Sequence, residues 1–278
     1  MTRIVCQQLA PRIADLAANR ALARTAIREA IDAGADVVVL PELVTSGYVF
    51  ASREEAATVA IAPDDALLTE WAAEAARGDA IVVGGLCEQG ADGNLYNSSA
   101  IVDPTGVRAV YRKLHLWDRE KLVFTHGEQA PPVVETRVGR IATVVCYDLE
   151  FPELTRAVAL AGAQLLAVPT NWPLGPRPAG ERPPEAIVAM ASARINRMAI
   201  ACADRAGTER GVEWTSGTTI VDTDGWVQAE SREPGAVTAD VDLALALHKA
   251  HTDRADLFAD RRPEHYGAVV AALGSTKP

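Results

Sequence analysis

The chain has 278 residues, 49% hydrophobic and 23% charged, and 27 basic against 37 acidic side chains give a formal charge of −10. This is the balance of a folding globular protein, and the negative charge, with no Lys/Arg stripe to override it, argues against nucleic acid as a partner. The apolar stretch at the N-terminus is cut short by Gln7-Gln8, so neither a signal-peptide core nor a membrane span is predicted and a cytoplasmic location is expected.

Arg3 to Gln7 reads as a short strand. From Asn19 to Ala33 apolar residues recur at helical spacing (Ala23, Ala26, Ile27, Ala30, Ile31), and Gly34 supplies the stop. Val37 to Leu40 is a continuous apolar run without polar alternation, the pattern of a strand covered by helices, and it ends at Pro41-Glu42. The same sequence of features returns later. Ala33-Gly34-Ala35-Asp36-Val37-Val38-Val39-Leu40-Pro41 and Ala161-Gly162-Ala163-Gln164-Leu165-Leu166-Ala167-Val168-Pro169 both read as helix end, glycine cap, buried strand and proline stop, which predicts two similar α/β halves.

Between the repeats, Ile81 to Cys87 and Ser98 to Val102 are predicted strands joined across Gly90 to Asn94, and Asp103-Pro104-Thr105-Gly106 marks a tight turn. Later strands are predicted at Ile141 to Cys146, Met198 to Ala203 and Thr218 to Asp222. A helix from Glu185 to Arg197 is expected to pack Ile187, Val188, Met190, Ala191 and Ile195 into the core. The proline cluster Pro173 to Pro184 looks like a loop rather than a linker, so residues 1–278 are expected to form one domain. Residues 250–278 would be a C-terminal tail, frayed or exchanged from Gly274 to Pro278.

The four cysteines, Cys6, Cys87, Cys146 and Cys202, are scattered and form no C-x-x-C pair, so they read as reduced thiols. One differs in setting. Ile141 to Val145 is a strand delivering Cys146 at its end, and the stretch from Tyr147 to Glu153 starts a helix with Pro152 in its first turn. A thiol on such a turn sits near free backbone N–H groups that stabilise a thiolate and a developing oxyanion. Glu42, directly after a buried strand, is a candidate base, and Lys113 a candidate cation for an oxyanion. His248 and His251 are spaced to share a helix face but have no third ligand nearby, and no phosphate-binding glycine motif is present, so neither a metal nor a cofactor is expected.

Leu40-Pro41-Glu42-Leu43 with Ser46-Gly47-Tyr48, then Tyr111-Arg112-Lys113-Leu114-His115-Leu116, then Cys146-Tyr147-Asp148 with Phe151-Pro152-Glu153 resemble, in order and spacing, the motifs of the carbon-nitrogen hydrolase (nitrilase-like) superfamily. The resemblance covers nearly the whole chain. It implies a four-layer αββα sandwich, a homodimer to which the segment around Arg261 to Tyr266 contributes, and a small-molecule amide as substrate. It also implies Glu42 as general base, Lys113 as oxyanion-stabilising cation, Cys146 as nucleophile and the Tyr147 backbone N–H as a second oxyanion donor. A second glutamate used by many members falls at Glu120, within Glu120-Lys121-Leu122-Val123-Phe124-Thr125-His126-Gly127, where His126 replaces the usual proline.

Nitrilases of the superfamily usually follow the nucleophile with Trp-Glu, whereas Tyr147-Asp148 here resembles the amidase and carbamoylase branches. Carbamoylases that accept amino-acid carboxylates often carry Arg just after the Cys-x-Asp turn. This chain has Leu149-Glu150, and its segment resembles that of 5-aminopentanamidases. Glu150 therefore predicts attraction for an ammonium group, unless it points to solvent or pairs with Arg156. Tyr48, Asn171 and Trp172 are expected to complete the pocket wall. The reading is hydrolysis of a small aliphatic amide through a cysteine thioester, with carbamoyl or nitrile hydrolysis and a non-catalytic binding protein on the same fold as the alternatives.

Overall fold

A computed structural model describes residues 1–271; the predicted tail from Gly274 to Pro278 lies outside the described residues. The first half contains β1 (Thr2–Gln8), α1 (Leu16–Asp32), β2 (Val37–Val39), α2 (Arg53–Ala57), α3 (Ala66–Ala75), β3 (Ile81–Gln89), β4 (Leu95–Asp103) and β5 (Gly106–Arg112). The second contains β6 (Val133–Thr136), β7 (Gly139–Thr143), α4 (Pro152–Leu160), β8 (Leu165–Pro169), α5 (Pro184–Asn196), β9 (Ala199–Ala203), the small hairpin β10 (Thr208–Glu209) and β11 (Val212–Glu213), then β12 (Thr219–Val221), β13 (Val227–Glu230) and β14 (Gly235–Val241).

Two six-stranded sheets result, ordered β14-β1-β2-β3-β4-β5 and β6-β7-β8-β9-β12-β13. Read in that order, both run antiparallel, parallel, parallel, antiparallel, antiparallel. The repeated segments supply β2 and β8, the middle strand of each parallel triplet. Both follow a glycine in the left-handed region, Gly34 at φ 84° and Gly162 at φ 93°, which a residue with a Cβ adopts only at a cost.

Side-chain alternation sorts the layers. Ile4, Cys6, Val37, Val39, Ile81 and Val83 of the first sheet pack against Ile141, Leu165, Ala167, Ala199, Ala201 and Ile220 of the second. The opposite face of the first sheet (Val5, Val38, Val82) packs on Ile27, Ala30 and Ile31 of α1 and Leu67, Leu68 and Trp71 of α3. Ala142, Leu166 and Ile200 of the second sheet likewise meet Val158 of α4 and Ala189 and Ala193 of α5. This is the four-layer αββα sandwich. Val37 to Val39 is apolar throughout because helices cover one face and the other sheet covers the second, so the expected covering by helices accounts for only one side.

Three local expectations are corrected. The strand β7 ends at Thr143, and Cys146 starts a 3-10 turn, Cys146–Glu150, with the α-helix beginning only at Pro152. In α5 the buried residues are Ala186, Ala189, Ser192, Ala193 and Asn196, whereas Ile187 and Ile195 are 48% and 41% exposed. Small side chains face the sheet, Val188 and Met190 are partly buried against the core as expected, and Ile187 and Ile195 face out. His248 follows a 3-10 turn (Leu243–Leu247) and His251 lies in a short strand (Ala250–Thr252), so the two histidines share no helix.

Candidate active site

Glu42, Lys113, Cys146, Asn171 and Trp172 converge at one end of the sandwich from loops that leave β2, β5, β7 and β8. Glu42 follows the end of β2, and its loop crosses directly over Gly85 of β3. A Cβ on Gly85 would stand 2.3 Å from the Leu43 nitrogen and 2.6 Å from the Glu42 Cα. Only glycine permits that approach at Gly85, while its neighbour Gly84 leaves room for the Trp71 ring, which a Cβ would meet at 2.7 Å.

Lys113 follows the last residue of β5, where its backbone N–H donates to the Asn97 carbonyl at 2.8 Å. Its ammonium is fully buried and donates to Glu42 Oε1 at 2.7 Å and Glu120 Oε1 at 2.8 Å. Burial pushes the Lys113 pKa down, but Glu120 and Glu42 push it up by more, so the ammonium stays charged. Asn97 also donates its side-chain amide to Glu42 Oε1 at 2.7 Å, while Glu42 Oε2 is buried with no protein partner. Burial, opposed by Lys113 and reinforced by Glu120, raises Glu42 to about 7. A carboxyl group poised there can take a proton and return it near neutral pH.

Cys146 opens its 3-10 turn in the left-handed region, at φ 48°, a conformation costly for a residue with a side chain and characteristic of functional turns. Asp148 holds the turn. Its buried carboxylate accepts from the Val145 backbone N–H (3.2 Å), the Tyr111 hydroxyl (2.8 Å) and the His115 backbone N–H (3.0 Å), and its Oδ1 lies 2.8 Å from His115 Nδ1. The turn is thereby bound to the segment carrying Lys113. All four cysteines are free and buried. Burial raises all four thiols, and for Cys146 the Glu42 charge raises it further; Cys146 alone also has groups that partly offset this, the Lys113 ammonium and the Asn171 backbone N–H, and its net shift stays upward.

Cys146 lines a cavity of about 220 Å³ with Trp117, Tyr147, Glu150, Asn171, Trp172, Pro173 and Glu185. Asn171 donates its side-chain amide to the Glu42 carbonyl at 3.0 Å, and Trp172 is held by its backbone N–H on Asp204 Oδ1 at 2.9 Å. Glu150 stands at the exposed rim, where partial burial and the Glu185 carboxylate raise its pKa. It does not pair with Arg156, which donates instead to the Ile195 carbonyl at 2.8 Å.

Tyr48 departs from expectation. Rather than walling the Cys146 cavity, it lines an adjoining lobe with Glu120, sharing Trp117 and Pro173 with the first. Its hydroxyl donates to Glu120 Oε1 at 2.5 Å. Glu120 sits in the 3-10 turn Asp118–Leu122 and also accepts from the Trp117 backbone N–H at 3.2 Å.

Two supports escaped the sequence reading. Asn97 stands in Tyr96-Asn97-Ser98-Ser99, four buried residues of which three are polar in a strand covered on both faces, and that polarity was a readable signal. Asp148 was read only as part of a motif. Among the described residues no group of three His, Cys, Asp or Glu side chains could hold a metal ion, and no helix is long and apolar enough to cross a membrane.

The sequence profile described as carbon-nitrogen hydrolase matches residues 3–247. A protein of Pyrococcus abyssi named nitrilase is 34% identical over 96% of this chain and 99% of its own length. An (R)-stereoselective amidase of a Pseudomonas species is 34% identical, covering 94% and 91%. Among solved structures, an amidase from a Nesterenkonia species superposes with a TM-score of 0.77 at 30% identity, covering 95% of this chain and 94% of that one. Another structure of that amidase, a mutant, shows acrylamide added to its active site cysteine. Similar over nearly its whole length in both sequence and fold, this chain belongs to the carbon-nitrogen hydrolase family of enzymes and stands among its amidases.

Proposed function

We propose that the chain hydrolyses a small aliphatic amide to a carboxylate and ammonia through a thioester on Cys146. The observation carrying this reading is the buried Lys113 ammonium bridging Glu42 and Glu120 beside Cys146, whose thiol is held well above its usual pKa by burial and the Glu42 charge, a rise that Lys113 partly offsets. Glu42 takes the Cys146 proton, and the sulfur attacks the amide carbon. Lys113 and the Tyr147 backbone N–H receive the negative oxygen. The C–N bond then breaks as Glu42 returns the proton to the departing nitrogen. Water, deprotonated by Glu42, attacks the thioester, and the C–S bond breaks as Glu42 returns that proton to the Cys146 sulfur. Glu120 holds Lys113 in place throughout.

The substrate is a short linear amide with an amino group at its far end. Glu150 and Glu185 both line the Cys146 cavity, and among the described residues neither pairs with a cation of the protein. An ammonium group would complete that charge arrangement, whereas a carboxylate would be repelled. Asn171 Oδ1, buried without a partner, offers a further acceptor at the cavity wall.

A second copy of the chain covers the outer helical layer. Ile187 and Ile195 of α5, Leu160 of α4 and Tyr266 of the C-terminal segment are large, apolar and exposed, which suits a homodimer interface.

The test is ammonia release from a panel of amides, carbamoyl compounds and nitriles by wild type and Cys146→Ala. Cysteine-dependent release from 5-aminopentanamide, exceeding that from pentanamide and from an ω-carboxylated amide, is expected. Product from the alanine variant would overturn the role of Cys146, and preference for the carboxylated amide would overturn the charge reading.

A further inference from the structure

Glu209, at the end of β10, is buried and takes no part in the chemistry above. Its Oε2 accepts from two successive backbone N–H groups, Tyr48 at 2.9 Å and Val49 at 2.6 Å. Its Oε1 lies 2.9 Å from the Arg205 Nη1, with both side chains almost wholly buried. Arg205 is itself fixed, donating to the Pro11 carbonyl at 2.8 Å and lying over the Trp214 ring at 4.8 Å. The Trp214 ring meets the Tyr48 ring edge-on at 5.3 Å. Gly47 leaves the room for this, since a Cβ there would stand 2.8 Å from Glu209 Oε1 and its φ is +80°. The Tyr48 backbone is therefore gripped by a buried ion pair, and its hydroxyl reaches the Glu120 oxygen that also receives the Lys113 ammonium.

We propose that Glu209 is a positioning residue for the reaction: it anchors the Tyr48 backbone so that the Tyr48 hydroxyl pins Glu120 against Lys113. A relay of this kind predicts more than loss of stability. Glu120 shares the Lys113 ammonium with Glu42, and its negative charge raises the Glu42 pKa while Lys113 lowers it. If Tyr48 is released, Glu120 loses a donor and retreats. Lys113 then pairs more fully with Glu42, which becomes a weaker base that ionises at lower pH.

The inference rests on Glu42, Lys113 and Cys146 being the reacting groups, and Cys146→Ala serves as the control that tests that reading separately. Steady-state kinetics across pH would be measured for wild type, Glu209→Ala, Glu209→Gln, Tyr48→Phe and the Tyr48→Phe/Glu209→Ala double variant. Glu209→Ala is expected to lower kcat by about tenfold or more with KM changed less than about threefold, and to move the acid limb of kcat/KM to lower pH. Glu209→Gln, which keeps an acceptor oxygen, should lose less. Tyr48→Phe should reproduce the alanine result, and adding Glu209→Ala to it should cost less than about a further twofold, since both act through one contact. Losses that multiply, or an acid limb that stays in place, overturn the relay. Where Glu209→Ala fails to fold, Tyr48→Phe decides alone, because it leaves the Arg205–Glu209 pair intact; wild-type kcat and pH profile in that variant refute the proposal. Should Cys146→Ala keep turnover, the reading of the reacting groups fails. If Cys146 is essential and Tyr48→Phe is silent, only the relay fails.

Discussion

Asn97 donates its side-chain amide to the same Glu42 oxygen that receives the Lys113 ammonium, both at 2.7 Å. Glu42 thus has one carboxylate oxygen saturated and the other free in a buried space. Asn97 favours the ionised form of Glu42, so Asn97→Ala should raise the Glu42 pKa further and move the acid limb of kcat/KM to higher pH, the opposite direction from Tyr48→Phe. A limb that stays at its wild-type position would show that Asn97 does not act on the base.

On the proposed mechanism ionised Glu42 is the active form, and burial pushes its pKa up to about 7. The value of kcat/KM should therefore be low at pH 5, rise through pH 7 and level off above it. Glu42→Gln should abolish the rise and lower kcat by about a thousandfold or more, since it removes the group that moves every proton in the cycle. A pH-rate profile of the two proteins checks both statements.

Alkylation should single out one thiol. Cys6, Cys87 and Cys202 are fully buried and have nothing that lowers their pKa, whereas Cys146 faces a cavity and the Lys113 charge. Iodoacetamide at neutral pH followed by peptide mass spectrometry should find the label on Cys146, and a substrate amide should slow the labelling. Equal labelling of Cys87 would contradict this.

Asp148 is buried, accepts from three donors and lies against the His115 ring nitrogen. Its replacement by alanine leaves those groups without a partner and frees the turn that carries Cys146. A loss of about 3–5 kcal/mol is expected for breaking such a network, seen as a drop in Tm of roughly 10 °C, together with a lower kcat. A calorimetric scan that matches wild type would rule out the structural role.

Sedimentation velocity tests the covered helical layer. Wild type is expected at twice the 29.5 kDa chain mass at micromolar concentration, and Ile187→Glu with Ile195→Glu should shift it to monomer while leaving the fold intact, because both side chains already face out. A monomeric wild type would remove the dimer from the reading.

The three central groups were legible because each lies at the end of a strongly apolar strand or in a dense motif. The burial of Val37 to Val39 and the repeat around Leu165 likewise follow from composition alone. What remained hidden depends on partners distant in sequence. Nothing near Tyr48 announces Glu209, 161 residues away, and Asn97 meets Glu42 only because β4 pairs with β3 beneath the Glu42 loop. Ile187 and Ile195 of α5 were misplaced for a different reason: periodicity locates an apolar stripe, and Val188 and Met190 do meet the core, but local packing decides whether alanine or isoleucine fills the remaining gap.

The matching strand directions of the two sheets carry a kinetic consequence. Glu42, Lys113 and Glu120 belong to the first half of the chain, Cys146 and Asn171 to the second, and contacts such as that from Asn171 to the Glu42 carbonyl form only when the sheets meet. The first half carries five of its sheet's six strands, the sixth, β14, coming from the second half, and neither half holds Cys146 together with Glu42. Turnover is therefore a clock for the last stage of folding: during refolding it should return with the docking of the sheets, later than the recovery of strand and helix. A chain cut in the segment between β5 and β6 should stay silent as separate pieces and regain its chemistry only as a reassembled pair.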